Sequence, residues 1–115
     1  MSYYMQFIDI YLPFNPKHKP AIGTKGFYLF WAFDDDCVVP QDNGGFNWSD
    51  EFISDLQRLA TQGVTGDVTL LGEEGEYSKY VLKGDTIEEH DGKTTFSEEP
   101  DVIHYAEELG GKKKE

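Results

Sequence analysis

From Gly66 onward apolar and polar residues alternate with a spacing of two, in runs only a few residues long. DVTLL, EYSKYVLK, TIEEH and KTTF are separated by GEEG, by Gly84 with Asp85, and by Asp91 with Gly92. Such runs build antiparallel hairpins, because Gly and Asp supply the positive φ angles of tight turns.

Before Gly66 the period is different. Phe52, Ile53, Leu56, Leu59 and Ala60 form one apolar stripe at helical spacing, the pattern of a helix that lies on a sheet. Asn47 or Ser49 is expected to cap its start, with Asp50 and Glu51 facing the positive end of its dipole, and Gly63 to supply the left-handed residue at its end. Nearer the N-terminus, residues 3–12 (YYMQFIDIYL) carry apolar groups on both faces of a strand, which predicts a strand covered on both sides. Pro13, Pro16 and Pro20 mark an extended loop to about Lys25. GFYLFWAF, residues 26–33, reads as a second buried strand, and residues 34–46 as a loop. Val102, Ile103, Tyr105, Ala106 and Leu109 suggest a short helix over 101–109 ended by Gly110 and Gly111. The expected order is β-β-α-β-β-β-β-α: one α+β domain over residues 1–109, mostly antiparallel sheet with one main helix packed on it, and a flexible basic tail over 110–115.

Composition limits what such a domain does. The 115 residues are 38% hydrophobic, too apolar for disorder, yet the formal net charge is −12. Residues 1–33 set Asp9 against Lys17, Lys19 and Lys25, and the tail sets Glu115 against Lys112, Lys113 and Lys114. Residues 34–108 hold 20 acids against Arg58, Lys79, Lys83 and Lys93, a net of −16. This excess repels phosphate backbones and anionic lipid, so direct nucleic-acid binding and membrane attachment are not expected. The acids group as Asp34, Asp35 and Asp36; Glu73, Glu74 and Glu76; Glu88, Glu89 and Asp91; and Glu98 and Glu99 before Asp101. Charged turns and edges keep a β-rich protein soluble and discourage edge pairing. The same carboxylates on a rigid sheet imitate the phosphate track of a nucleic acid and meet the Arg and Lys of a basic groove.

Chemistry-bearing motifs are sparse. Asp34–Asp36 beside Cys37 resembles a set of oxygen ligands, without the spacing of a calcium loop. His18, His90 and His104 lie on separate elements, so a zinc site would have to be assembled by the tertiary fold. The aspartates next to Cys37 disfavour a thiolate nucleophile, and Gly23 and Gly26 precede a strand instead of a helix, which argues against a phosphate loop. With this many acids, paired carboxylates carry no information about glycosidase chemistry. No catalytic residue, metal ligand or cofactor is assigned. One cysteine, Cys37, forms no intramolecular disulfide. MSYYMQFIDIYL lacks the basic start and cleavage site of a signal peptide, and the longest apolar run, Phe27 to Phe33, falls short of the ~18–20 residues that span a bilayer, so a cytoplasmic location is expected.

The opening Met1-Ser2-Tyr3-Tyr4 and the segment GDVTLLGEEGEYSKYVLKGDTIEEHDGKTTF, preceded by a helix, resemble a group of small, mostly uncharacterised phage and bacterial proteins. Those proteins open with an M-G-Y-Y-T strand and carry a G-E turn and a G-K or G-D hairpin. Ser2 and Met5 depart from that pattern, and the loop from Pro13 to Lys25 has no counterpart in it. The resemblance covers about half of the chain and implies an α+β fold and a mobile-element origin. It transfers no activity and no functional residue. The leading expectation is a non-enzymatic acidic inhibitor, of the anti-CRISPR or anti-restriction kind, that docks on the basic nucleic-acid-binding surface of a host protein. The alternatives are a metal-dependent enzyme using Asp34–Asp36 and a small structural or assembly protein whose self-association is controlled by Lys112–Lys114 or an exposed hairpin edge.

Overall fold

The structure, a computed structural model, describes residues 3–23, 26–41, 44–92, 100 and 102–106. The fold is α+β. Strands β1 (Tyr4–Tyr11), β2 (Trp31–Asp34), β3 (Cys37–Pro40) and β4 (Gly45–Asn47) precede helix α1 (Glu51–Thr61), and β5 (Gly66–Gly72), β6 (Tyr77–Leu82), β7 (Thr86–Gly92) and β8 (Val102–Tyr105) follow it. Six strands form one antiparallel sheet in the order β4-β1-β5-β6-β7-β8, and β2 and β3 form a separate hairpin. Helix α1 covers one face of the large sheet. Phe52, Leu56 and Leu59 are fully buried in the core with Val68, Leu70, Tyr80 and Ile87.

Local chemistry sets the helix ends. Neither expected cap holds the N-cap position, which belongs to Asp50 and has no side-chain capping bond; Ser49, one residue earlier, accepts the Glu51 N–H on its Oγ (3.1 Å) and the Phe52 N–H on its carbonyl (2.9 Å), and Asn47 belongs to β4. At the other end Gly63 has φ +92°, the Gly63 N–H donates to the Ala60 carbonyl and the Val64 N–H donates to the Leu59 carbonyl. This is a Schellman closure, with Val64 and Leu59 both buried beneath it.

Five expectations are corrected. Strand β1 is covered on one face only. A bulge between Phe7 and Asp9 switches its parity, so Met5 and Phe7 point into the core before it and Leu12 after it, while Ile8 and Tyr11 stay exposed. The apolar run 26–33 is a strand only from Trp31 on, because the amides of Tyr28 and Leu29 donate to the Asp55 carboxylate instead of to a neighbouring strand. Residues 34–46, expected as a loop, contain β3 and the start of β4. The segment expected as a final helix is a strand over Val102–Tyr105. Its β-branched and aromatic residues pair with the free edge of β7, and the Tyr105 carbonyl accepts from Gln57 Nε2 on α1 (2.9 Å). The turn expected at Asp91 and Gly92 is likewise absent, since β7 continues through both. The expected KTTF strand and the basic tail lie outside the described residues. Among the described residues no helix is long and apolar enough to cross a membrane.

Candidate functional site

Strand register assigns each acidic side chain to a face. On β6 and β7 the pairs Leu82–Ile87, Tyr80–Glu89 and Ser78–Asp91 stand on the helix side, and Val81–Glu88 and Lys79–His90 on the opposite side. Glu88 and Glu89, adjacent in sequence, therefore serve different surfaces. On the outer face Glu88 takes Lys83 Nζ at 3.2 Å and His90 Nε2 at 3.1 Å. On the helix side Glu89 meets His104 Nε2 at 2.9 Å.

The Glu73–Glu76 turn folds back on the start of β1. The Tyr4 N–H donates to Glu73 Oε2 (2.8 Å), the Glu74 N–H donates to the Tyr3 hydroxyl (3.2 Å), and that hydroxyl donates to Glu76 Oε2. The second oxygen of Glu76, Oε1, is buried and has no hydrogen-bond partner among the described residues. Burial, then the hydrogen bond to Glu76, holds the Tyr3 phenol above its ordinary pKa, so Tyr3 remains a donor.

Turn and register together open a cleft of about 380 Å³ on the helix side of the sheet. Tyr3, Trp48 and Tyr80 supply aromatic surface; Met5 and Ser78 also line it. Glu76, Glu89 and Asp91 bring three carboxylates, and no lysine or arginine lines the cleft among the described residues. The Trp48 and Tyr80 rings lie 6.3 Å apart and only 14° from parallel, braced from beneath by Phe52. The Tyr80 phenol is pushed strongly upward, by burial first and then by the charges of Glu89, Asp91 and Asp50. Aromatic rings under negative potential attract cations and repel anions.

The other expected groups lie elsewhere. Asp34, Asp35 and Asp36 form the exposed turn of the β2–β3 hairpin, with Asp35 at φ +55°. That hairpin attaches at the far end of β1 from Glu73, where the Phe14 N–H donates to the Asp36 carbonyl and the Val38 N–H to the Leu12 carbonyl. Among the described residues no group of three or more His, Cys, Asp or Glu is placed to hold a metal ion. His90 and His104 face opposite sides of the sheet, and Cys37 is half-buried at the start of β3. Glu98 and Glu99 lie outside the described residues.

Sequence reasoning passes over Trp48 and Tyr80, and it places Tyr3 only at the start of a strand covered on both sides. The signal that finds them is register. Read away from the Lys83–Asp85 turn, the helix-side residues change from Leu82 and Ile87 through Tyr80 and Glu89 to Ser78 and Asp91, so the core face becomes polar at one end of the hairpin. Comparison with family models, with curated proteins and with solved structures finds no match to this chain.

Glu88 sets a pH dependence. Its hydrogen bond from His90, assisted by Lys83 and opposed by burial, holds its pKa below 4.5. The folded protein thus binds a proton at Glu88 more weakly than the unfolded chain does. The stability Glu88 contributes is present above pH 4.5 and is lost as pH falls through its lowered pKa. Urea unfolding of wild type and E88Q is expected to differ at neutral pH and to converge as pH falls below that value. A gap that stays constant through the acid range would show that the Glu88 charge is not its source.

Proposed function

We propose that this chain is a non-enzymatic protein-binding module of the cytoplasm, which docks the acidic, helix-side end of its sheet on a basic, nucleic-acid-binding surface of another protein. Bound there, it takes the place of the nucleic acid. The observation that carries this reading is the cleft: Glu76, Glu89 and Asp91 stand over aromatic rings with no basic residue among the described lining. Glu73 and Glu74 extend the same charge across the adjoining turn. A rigid array of carboxylates offers Arg and Lys the acceptors and the potential that phosphates offer them. An inhibitor of host defence machinery, as the phage-protein resemblance implies, fits such a surface.

The test is capture of a partner from lysate by the immobilised protein. The variant E74Q/E89Q/D91N keeps the size of each side chain while removing its charge and replacing one acceptor oxygen by an amide donor. Wild type is expected to retain a basic protein that elutes as salt rises, and the triple variant to retain at least about tenfold less of it, since interfacial charges set both encounter and salt dependence. Equal retention by both proteins would contradict the reading.

A further inference from the structure

We propose that the Tyr3–Trp48–Tyr80 cleft is a subsite for a single arginine side chain of the protein partner. This deepens the reading above and rests on it. Trp48 lines the cleft with the buried Tyr80 ring nearly parallel to its own, and a planar guanidinium stacks on an aromatic face where an ammonium offers only a point charge. Asp91 and Glu89 stand on the same face of β7 at alternate positions and both line the cleft, Glu89 with one oxygen already on His104. Glu76 adds an independent requirement. One of its oxygens is committed to Tyr3, and the other has no donor among the described residues, so the Glu76 charge is not neutralised by a described cation. The volume of about 380 Å³ lies at the small end of ligand clefts, the scale of one side chain and not of an extended peptide. A phosphate or other anion is repelled by three carboxylates. A neutral sugar could stack on Trp48 but would gain nothing from their charge.

The experiment titrates N-acetylarginine methylamide, its lysine counterpart and methyl glucoside separately into isotope-labelled protein, following amide and indole resonances by NMR. The arginine amide is expected to move the Trp48 indole N–H and the Ser78 and Tyr80 amides, saturating at ligand concentrations on the order of millimolar. The lysine amide should bind about tenfold more weakly, and the glucoside should leave these resonances in place. D91N, and separately E89Q/D91N, should weaken the arginine amide by about tenfold or more, whereas D34N/D35N/D36N should not. Equal binding of the arginine and lysine amides, shifts by the glucoside, shifts away from Trp48, or shifts that survive both cleft variants would each overturn the subsite. The measurement needs no partner, so it separates the two ideas. Arginine-amide binding without a captured partner removes the docking reading and keeps the cleft; a captured partner without shifts at Trp48 does the reverse.

Discussion

Replacing Gly66 by alanine is expected to cost about 4 kcal/mol or more of folding free energy, enough to leave much of the chain unfolded at ordinary temperature. Gly66 opens β5 at φ +112°, where side chains are strained, and a Cβ built there falls 1.8 Å from the Tyr11 carbonyl oxygen and 2.9 Å from Pro13 Cδ. The obstacle is backbone, so no rotamer change relieves it. Either β1 or β5 must move, and these are neighbouring interior strands of the large sheet. Gly63 is the control. It too has positive φ, but the space around it is open, so G63A should cost only about 1 kcal/mol from the left-handed conformation alone. Urea denaturation of the two variants decides the matter. Losses within about 1 kcal/mol of one another would mean that the close approach of β5 to Tyr11 is not a constraint on the fold.

The second large effect is at Asp55, an acid inside the apolar stripe of α1 and only 1% exposed. Its carboxylate accepts three hydrogen bonds, from the Tyr28 N–H (2.7 Å), the Leu29 N–H (2.9 Å) and Trp31 Nε1–H (2.9 Å). D55A leaves three donors unpaired, the Trp31 indole fully buried and the two amides partly so, and should destabilise by about 3–5 kcal/mol. D55N should not restore the loss, since its amide group puts a donor where one carboxylate oxygen now accepts. Burial is the largest influence on Asp55 and raises its pKa above 3.8, against the lowering effect of the three donors and Arg58. The folded state then binds the proton more tightly than the unfolded chain. The Asp55 contribution to stability is greatest below 3.8 and declines as pH rises through the raised value, a slope that D55N lacks. A loss under about 1 kcal/mol in D55A would show that Tyr28, Leu29 and Trp31 find other acceptors.

Asp55 also marks where the sequence is legible and where it is not. The hairpins β5–β6 and β6–β7 are readable because their turns carry Gly75 and Gly84, both at positive φ, between alternating runs, and α1 is readable from its stripe and from Gly63. The run from Phe27 to Phe30 has the composition of a strand, yet its amides are claimed by an acid on a helix more than 20 residues away. No local pattern encodes that. Residues 102–105 pair with β7 although helical spacing also fits them, because an unpaired sheet edge gives their backbone partners that local propensity ignores. In β1 one bulged residue moves the apolar set from one parity to the other, and this imitates a strand covered on both sides.

The acidic surface divides in the same way. That Glu88 and Glu89 face opposite sides follows from strand period alone, once TIEEH is read as a strand. That Glu76 and Asp91 line one cleft requires the Glu73–Glu76 turn to fold onto Tyr3 and Tyr4, contacts more than 65 residues apart in the chain. Asp34–Asp36, the densest acid run in the sequence, is placed at the other end of β1 and does not join that cleft.

The most direct test of the central claim is competition for the captured partner. The immobilised chain is loaded from lysate, washed, and challenged with duplex DNA or with RNA in place of salt. If the acidic cleft end occupies a nucleic-acid-binding surface, added nucleic acid releases the partner in a concentration-dependent way, and E74Q/E89Q/D91N fails to load it. A partner that stays bound under excess nucleic acid, or that loads equally on the variant, would contradict the account.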